Sequence, residues 1–195
     1  MRSFRVILWA LVAVAAVVAA ALLWRQSTPA RSTPATTQVS FGGPFTLVDG
    51  NGHPFPSSKL AGKPSAIFFG FTHCPDVCPT TLARLVKLRR ELGSDDAFQI
   101  VFVTVDPERD GPKEVANYAS LFGTRIIGLT GSPAQIAQVK KEYGIFSQKV
   151  GTGDDYTVDH TATVLLFDRE QGFRSTISPD ENDEAALAKL KALAT

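Results

Sequence analysis

Val6 to Trp24 is a run of 19 residues without a charged or polar side chain, and it divides the chain into an apolar head and a mixed-composition body. As a helix it would span roughly 28 Å, close to the hydrocarbon thickness of a bilayer. A helix lying in a soluble core shows a polar face, and this segment has none. Trp9 and Trp24 stand near its ends, where aromatic rings favour the membrane interface, and Arg2 and Arg5 precede it. Residues 1–24 are therefore expected to be an N-terminal membrane anchor with the body exported. Ala19-Ala20-Ala21 offers the alternative of a cleaved signal peptide, and both readings export the remainder. With no cysteine near this segment, attachment through a lipidated cysteine is excluded. Residues 25–40 are rich in Ser, Thr, Pro and Ala, with Ser-Thr-Pro-Ala at 27–30 and again at 32–35, and read as an extended linker.

The 20 basic and 19 acidic residues nearly cancel, but the first forty residues hold four arginines and no acid, so the body is slightly acidic. It shows no basic stripe, which argues against a nucleic-acid partner. Two cysteines exclude a disulfide-rich scaffold and a four-cysteine zinc site, and the single methionine excludes a methionine-rich metal tract.

From residue 41 the pattern alternates strand and helix. Phe45 to Phe55 reads as a hairpin around Asp49-Gly50-Asn51-Gly52. Ser65–Phe71, Phe98–Val105 and Thr161–Asp168 read as strands buried on both faces, and Arg125–Leu129 as a shorter one. Helices are expected after residue 78, at 112–122, after Ser132 and near Asp183. Ser132-Pro133-Ala134-Gln135 carries the capping-box pattern with Pro at the first helical position. Residues 145–159 read as irregular or as a polar hairpin, and Phe173–Ile177 as a strand partnering the one before it. The result is a three-layer α/β domain over residues 41–195.

Cys74 and Cys78 fall between the first buried strand and its helix, where open α/β sheets gather their chemistry. With Asp76 as N-cap, Cys78 enters the first helical turn, where the helix dipole favours a thiolate. A structural disulfide closing so short a loop would contribute roughly 2 kcal/mol, which a domain with an ample core hardly needs. A redox dithiol and a metal site remain; soft thiolates select Cu(I) or Zn(II). Among three histidines, His53 follows a turn, His73 abuts Cys74, and His160 stands 82 residues beyond Cys78 at the mouth of a buried strand. Two thiolates and one imidazole suit copper.

Three stretches together resemble the Sco/SenC family of membrane-anchored copper proteins: Gly70-Phe71-Thr72-His73-Cys74-Pro75-Asp76-Val77-Cys78-Pro79, Val105-Asp106-Pro107-Glu108-Arg109-Asp110, and Tyr156-Thr157-Val158-Asp159-His160-Thr161. The resemblance implies a thioredoxin-like fold with an inserted hairpin before His160, and a copper ion held by Cys74, Cys78 and His160. Asp159 would then tune or orient His160 from outside the ligand set, and the Asp106–Asp110 loop is either a client-docking feature or a solvated turn. The resemblance further implies assembly of the dinuclear copper centre of cytochrome c oxidase, by copper delivery, by thiol reduction, or by both. Its partners would be the oxidase's copper-receiving subunit and a periplasmic copper donor or thiol reductase. The expected location is the cytoplasmic membrane, single-pass, with the domain in the periplasm. The alternative is a metal-independent extracytoplasmic thiol–disulfide oxidoreductase, against which stand the three-residue spacing of the cysteines and the absence of proline in Thr161-Ala162-Thr163. Cys78-Pro79-Thr80 resembles a peroxidatic cysteine only superficially, since Pro75 stands where that pattern needs Thr.

Overall fold

The computed structural model describes residues 41–153 and 155–194, with Trp9, Val14, Val17 and Val18 of the N-terminal segment. The rest of the expected anchor and all of the linker lie outside the described residues. Among the described residues no helix is long and apolar enough to cross a membrane. The chain divides into Met1–Ser40 and Phe41–Thr195.

The second unit is a mixed α/β, thioredoxin-like domain. Its elements are β1 (Thr46–Asp49), β2 (Pro54–Pro56), a 3-10 turn (Ser57–Leu60), β3 (Ser65–Gly70), α1 (Val77–Glu91), β4 (Gln99–Thr104), α2 (Pro112–Ser120), β5 (Ile127–Thr130), α3 (Pro133–Glu142), β6 (Ser147–Val150), β7 (Thr157–His160), β8 (Val164–Phe167), β9 (Phe173–Ile177) and α4 (Asp183–Ala194). The main sheet runs β2-β1-β5-β4-β3-β8-β9, and β6 and β7 form a separate antiparallel pair. Every residue of β3 and β8 is buried. Because successive strand residues face opposite sides, both faces of the sheet are covered. The core is heavily aromatic: Phe68, Phe69, Phe71, Phe98 and Phe102 are almost completely buried, each contributing roughly 1.5–3 kcal/mol of apolar transfer.

Local chemistry fixes the element ends. The expected first hairpin forms with Leu47 opposite Phe55, its turn closed by the Asp49 carboxylate accepting from the Asn51 and His53 backbone N–H groups. The Ser132 capping box is complete: Gln135 N–H donates to the Ser132 hydroxyl at 3.3 Å, and Ser132 N–H to the Gln135 side chain at 2.8 Å. Arg84 on α1 donates to Asp183 on α4 at 2.8 Å, joining the two helices.

Two details matter for the site. First, β4 runs parallel to β3 but β8 runs antiparallel to it. The start of β8 therefore lies beside the end of β3, which brings the chain before Val164 to the loop after Gly70. Second, the expected strand Thr161–Asp168 begins only at Val164. Residues before it stay with the hairpin instead, where Thr161 and Phe146 exchange bonds, Thr161 N–H to the Phe146 carbonyl at 3.0 Å and Phe146 N–H to the Thr161 hydroxyl at 3.1 Å. His160 is thus the last residue of β7, opposite Ser147, rather than the mouth of β8.

Candidate metal centre

Cys74, Cys78 and His160 converge: one ligand atom from each lies within 4.8 Å of the others. The Cys78 sulfur is 3.5 Å from His160 Nε2, and Cys78 N–H points at the Cys74 sulfur across 3.4 Å. Ligands about 2.0–2.3 Å from one ion in a trigonal plane stand roughly 3.5–4 Å apart, so the donors are already near coordinating distance. Both cysteines are free thiols.

Each donor is placed by its own device. Cys74 sits in the loop after β3, its N–H bonded to the Phe71 carbonyl at 3.2 Å. It is half-buried, whereas Cys78 is wholly enclosed under Gly70. A Cβ at position 70 would stand 2.8 Å from the Cys78 sulfur, so only glycine leaves room for it. His160 is wedged between aromatic rings, edge-on to Phe71 with centroids 5.8 Å apart and 6.0 Å from Phe68. Its Nδ1 lies 3.0 Å from the Thr161 carbonyl. A carbonyl only accepts, so Nδ1 carries the proton and Nε2 turns its lone pair toward Cys78. Burial lowers the His160 pKa, which keeps the ring neutral and ready to ligate.

The expected thiolate at Cys78 is not what the fold favours. Asp76 does hold the N-cap position of α1, but its side chain makes no capping bond to the helix backbone and accepts from the Thr80 hydroxyl at 3.3 Å instead. Burial pushes the Cys78 thiol far above its usual range, overriding the helix terminus. Without metal the resting form at Cys78 is the protonated thiol, and an ion must displace that proton to bind.

The remaining candidates separate. His53 is an exposed loop residue. His73 is exposed, its Nδ1 3.1 Å from the Thr72 hydroxyl and 3.6 Å from the Asp110 carboxylate, outside the three-residue cluster. Asp159 is exposed on β7 opposite Gln148, and its effect on His160 is coulombic, while the Thr161 carbonyl makes the orienting bond.

The Asp106–Asp110 loop is neither a solvated turn nor an acidic docking surface. Asp106 and Asp110 are 2% and 0% exposed. Asp110 accepts from Thr72 N–H at 2.9 Å, the Thr72 hydroxyl at 2.6 Å and the Thr104 hydroxyl at 2.7 Å, so it holds the start of the cysteine loop. The signal was present in the sequence as threonines at 72 and 104, short donors suited to a buried carboxylate, but nothing in the chain order joins them to residue 110.

The SCO1/SenC family profile matches residues 33–195. The mitochondrial SCO2 protein of Saccharomyces cerevisiae is 39% identical over 158 residues, covering 78% of this chain and 52% of the yeast protein. A SCO2-like protein of Rickettsia prowazekii is 40% identical over 136 residues, covering 68% and 66%. The chain thus spans between about half and two thirds of the length of these relatives. Among solved structures, ScoI of Bradyrhizobium japonicum with copper bound superposes with a TM-score of 0.71 at 45% identity, covering 78% of this chain and 99% of that one. Yeast Sco1 with copper bound gives 0.71 at 35% identity, covering 78% and 87%. A cysteine pair and a histidine 82 residues apart, closed on one point by an antiparallel strand, thus occur in a chain whose sequence and fold both match one family throughout this domain. The chain belongs to the SCO1/SenC family.

Proposed function

We propose that this chain binds copper through Cys74, Cys78 and His160 and serves the assembly of the copper centre of cytochrome c oxidase. The observation that carries the reading is the convergence of the three donors: a dithiol acting alone has no use for a neutral imidazole 3.5 Å from its buried sulfur. Copper-bound relatives of the same fold support it. Copper is cargo here, and the chain's contribution is to hold and release it. The half-buried Cys74 is the ligand an incoming thiol can reach, and the enclosed Cys78 and His160 are the ones it reaches last. Exchange with a receiving subunit's cysteines therefore starts at Cys74. A bound ion supplies the positive charge that stabilises Cys78 as thiolate against the burial that otherwise keeps it protonated.

Only reduced cysteines ligate. Protein oxidised to the Cys74–Cys78 disulfide is therefore expected to bind no copper, and reduced protein about one ion per chain. Titration of both forms with Cu(I), followed by metal analysis after desalting, checks this; stoichiometric uptake by the oxidised form would remove the two sulfurs from the site.

The reading includes residues 1–24 as a retained anchor, residues 25–40 as a tether and residues 41–195 as a periplasmic domain, supported by the uncharged run Val6–Trp24 with arginines before it. Protease added to spheroplasts should remove the domain and leave it intact in whole cells. A mature protein beginning near Leu22 would defeat the anchor while leaving export standing.

A further inference from the structure

The ligands reach the site on two separate pieces of chain, and one continuous hydrogen-bonded chain joins those pieces. It begins on the hairpin that carries His160, at Tyr156, whose hydroxyl donates to Asp106 Oδ1 at 2.7 Å. Asp106 N–H donates to the Thr104 hydroxyl at 2.9 Å, and that hydroxyl donates to Asp110 Oδ2 at 2.7 Å. Asp110 then accepts both the N–H and the hydroxyl of Thr72, two residues before Cys74. The three middle members, Thr104, Asp106 and Asp110, are 0–2% exposed.

Arg109 locks the hairpin end. Its Nε donates to Asp106 Oδ2 at 2.6 Å and its Nη1 to the Tyr156 carbonyl at 2.9 Å. Its guanidinium lies 3.6 Å from the centre of the Tyr156 ring and 5.8 Å from that of Phe71, the ring that stands edge-on to His160. Lys149 of β6 adds an ion pair to Glu108 from the same loop. Without these bonds the hairpin would rest on little: in β6 and β7, Val158 is the one buried residue.

We propose that Tyr156, Asp106 and Arg109 are positioning residues for His160, and that the chain from Tyr156 to Thr72 fixes the distance between the imidazole and the two sulfurs. The proposal deepens, and rests on, the reading of Cys74, Cys78 and His160 as the copper site. Tyr156 touches no ligand atom. Its hydroxyl acts by holding the hairpin at the depth where Nε2 meets the Cys78 sulfur. Buried charge-assisted bonds of this kind keep their geometry, because breaking one leaves a carboxylate short of a donor away from water.

The test is a double-mutant cycle on the full-length protein in mild detergent, with Cu(II) affinity measured by competition and the thiolate-to-copper absorption bands recorded. Tyr156→Phe keeps the ring under Arg109 and removes only the hydroxyl. It should lower Cu(II) affinity on the order of 10–100-fold, as loss of an outer partner does, and shift the absorption bands. In a His160→Ala background the same substitution should cost nothing further, because no imidazole remains to be placed. Asp106→Asn, which weakens the bonds from both Tyr156 and Arg109, should show the same dependence on His160. Equal losses in both backgrounds, or none in either, would overturn the positioning role while leaving the ligand set intact. An unchanged affinity in His160→Ala itself would overturn the site reading and this proposal with it.

Discussion

His160→Ala should leave the domain folded, leave both thiols able to form their disulfide, and weaken Cu(II) binding more than any substitution outside the ligand set. The ring is only half-buried at the end of a short hairpin, so its removal sacrifices edge contacts with Phe68 and Phe71 and little else of the core. Its electronic contribution has no substitute nearby: His73, the next imidazole along the chain, lies outside the cluster, bonded toward Thr72 and Asp110. Cu(II) favours nitrogen donors, whereas Cu(I) is held by soft sulfur alone. The expected loss for Cu(II) is therefore roughly 100-fold or more, above the 10–100-fold typical of outer partners, with a smaller loss for Cu(I). Competitive titration with each valence reads the difference, and oxidase assembly in cells carrying the variant reads its consequence. Normal copper affinity together with normal assembly would favour the metal-independent dithiol instead.

The largest effect on stability is expected at Asp110. Truncation to Ala removes the acceptor of three donors at once, among them the Thr72 N–H, which has no way to turn toward another partner. The two threonine hydroxyls can rotate, and removing a buried carboxylate also relieves its desolvation, so the cost falls below the sum of the bonds. We expect about 2–4 kcal/mol. Asp110→Asn, which keeps one carbonyl oxygen, should cost less. Urea unfolding followed by far-ultraviolet circular dichroism measures both through the midpoint at constant slope. The tryptophans, Trp9 and Trp24, both precede the domain and cannot report on it. A change below about 1 kcal/mol for the alanine variant would mean that the cysteine loop is held by something other than this carboxylate.

What the sequence made legible follows from what is local. The buried strands announce themselves because β3 and β8 are apolar on both faces, and α3 because its capping box lies within four consecutive residues. The three candidate ligands were legible through the family motifs, and the structure brings them together. Three things were not. Burial of Asp106 and Asp110 depends on threonine donors and on Tyr156, partners separated by up to 50 residues, so two acidic side chains in a loop read as solvated. The thiol state of Cys78 is decided by enclosure under Gly70, a three-dimensional property that outweighs its visible place at a helix start. The late beginning of β8 reflects Thr161 choosing Phe146 over the main sheet, and a short run of Thr and Ala carries no periodicity to say which partner wins.

The antiparallel course of β8 has a consequence for the order in which the molecule comes into being. A chain delivered from its N-terminus presents both cysteines about eighty residues before the histidine, and the segment that closes over them pairs with β3 only after nearly the whole domain has emerged. Such distant pairings form late, since the entropy of closing the loop must be met before the contact rewards it. During that interval the sulfurs lie open to any oxidant. Because the chain holds two cysteines and no more, the single intramolecular crosslink open to it is the Cys74–Cys78 disulfide. A nascent chain can thus be oxidised without being scrambled: one reduction, before or after folding, returns it to the thiol form, and a complete three-ligand site is the sign that the last third of the domain has reached its place.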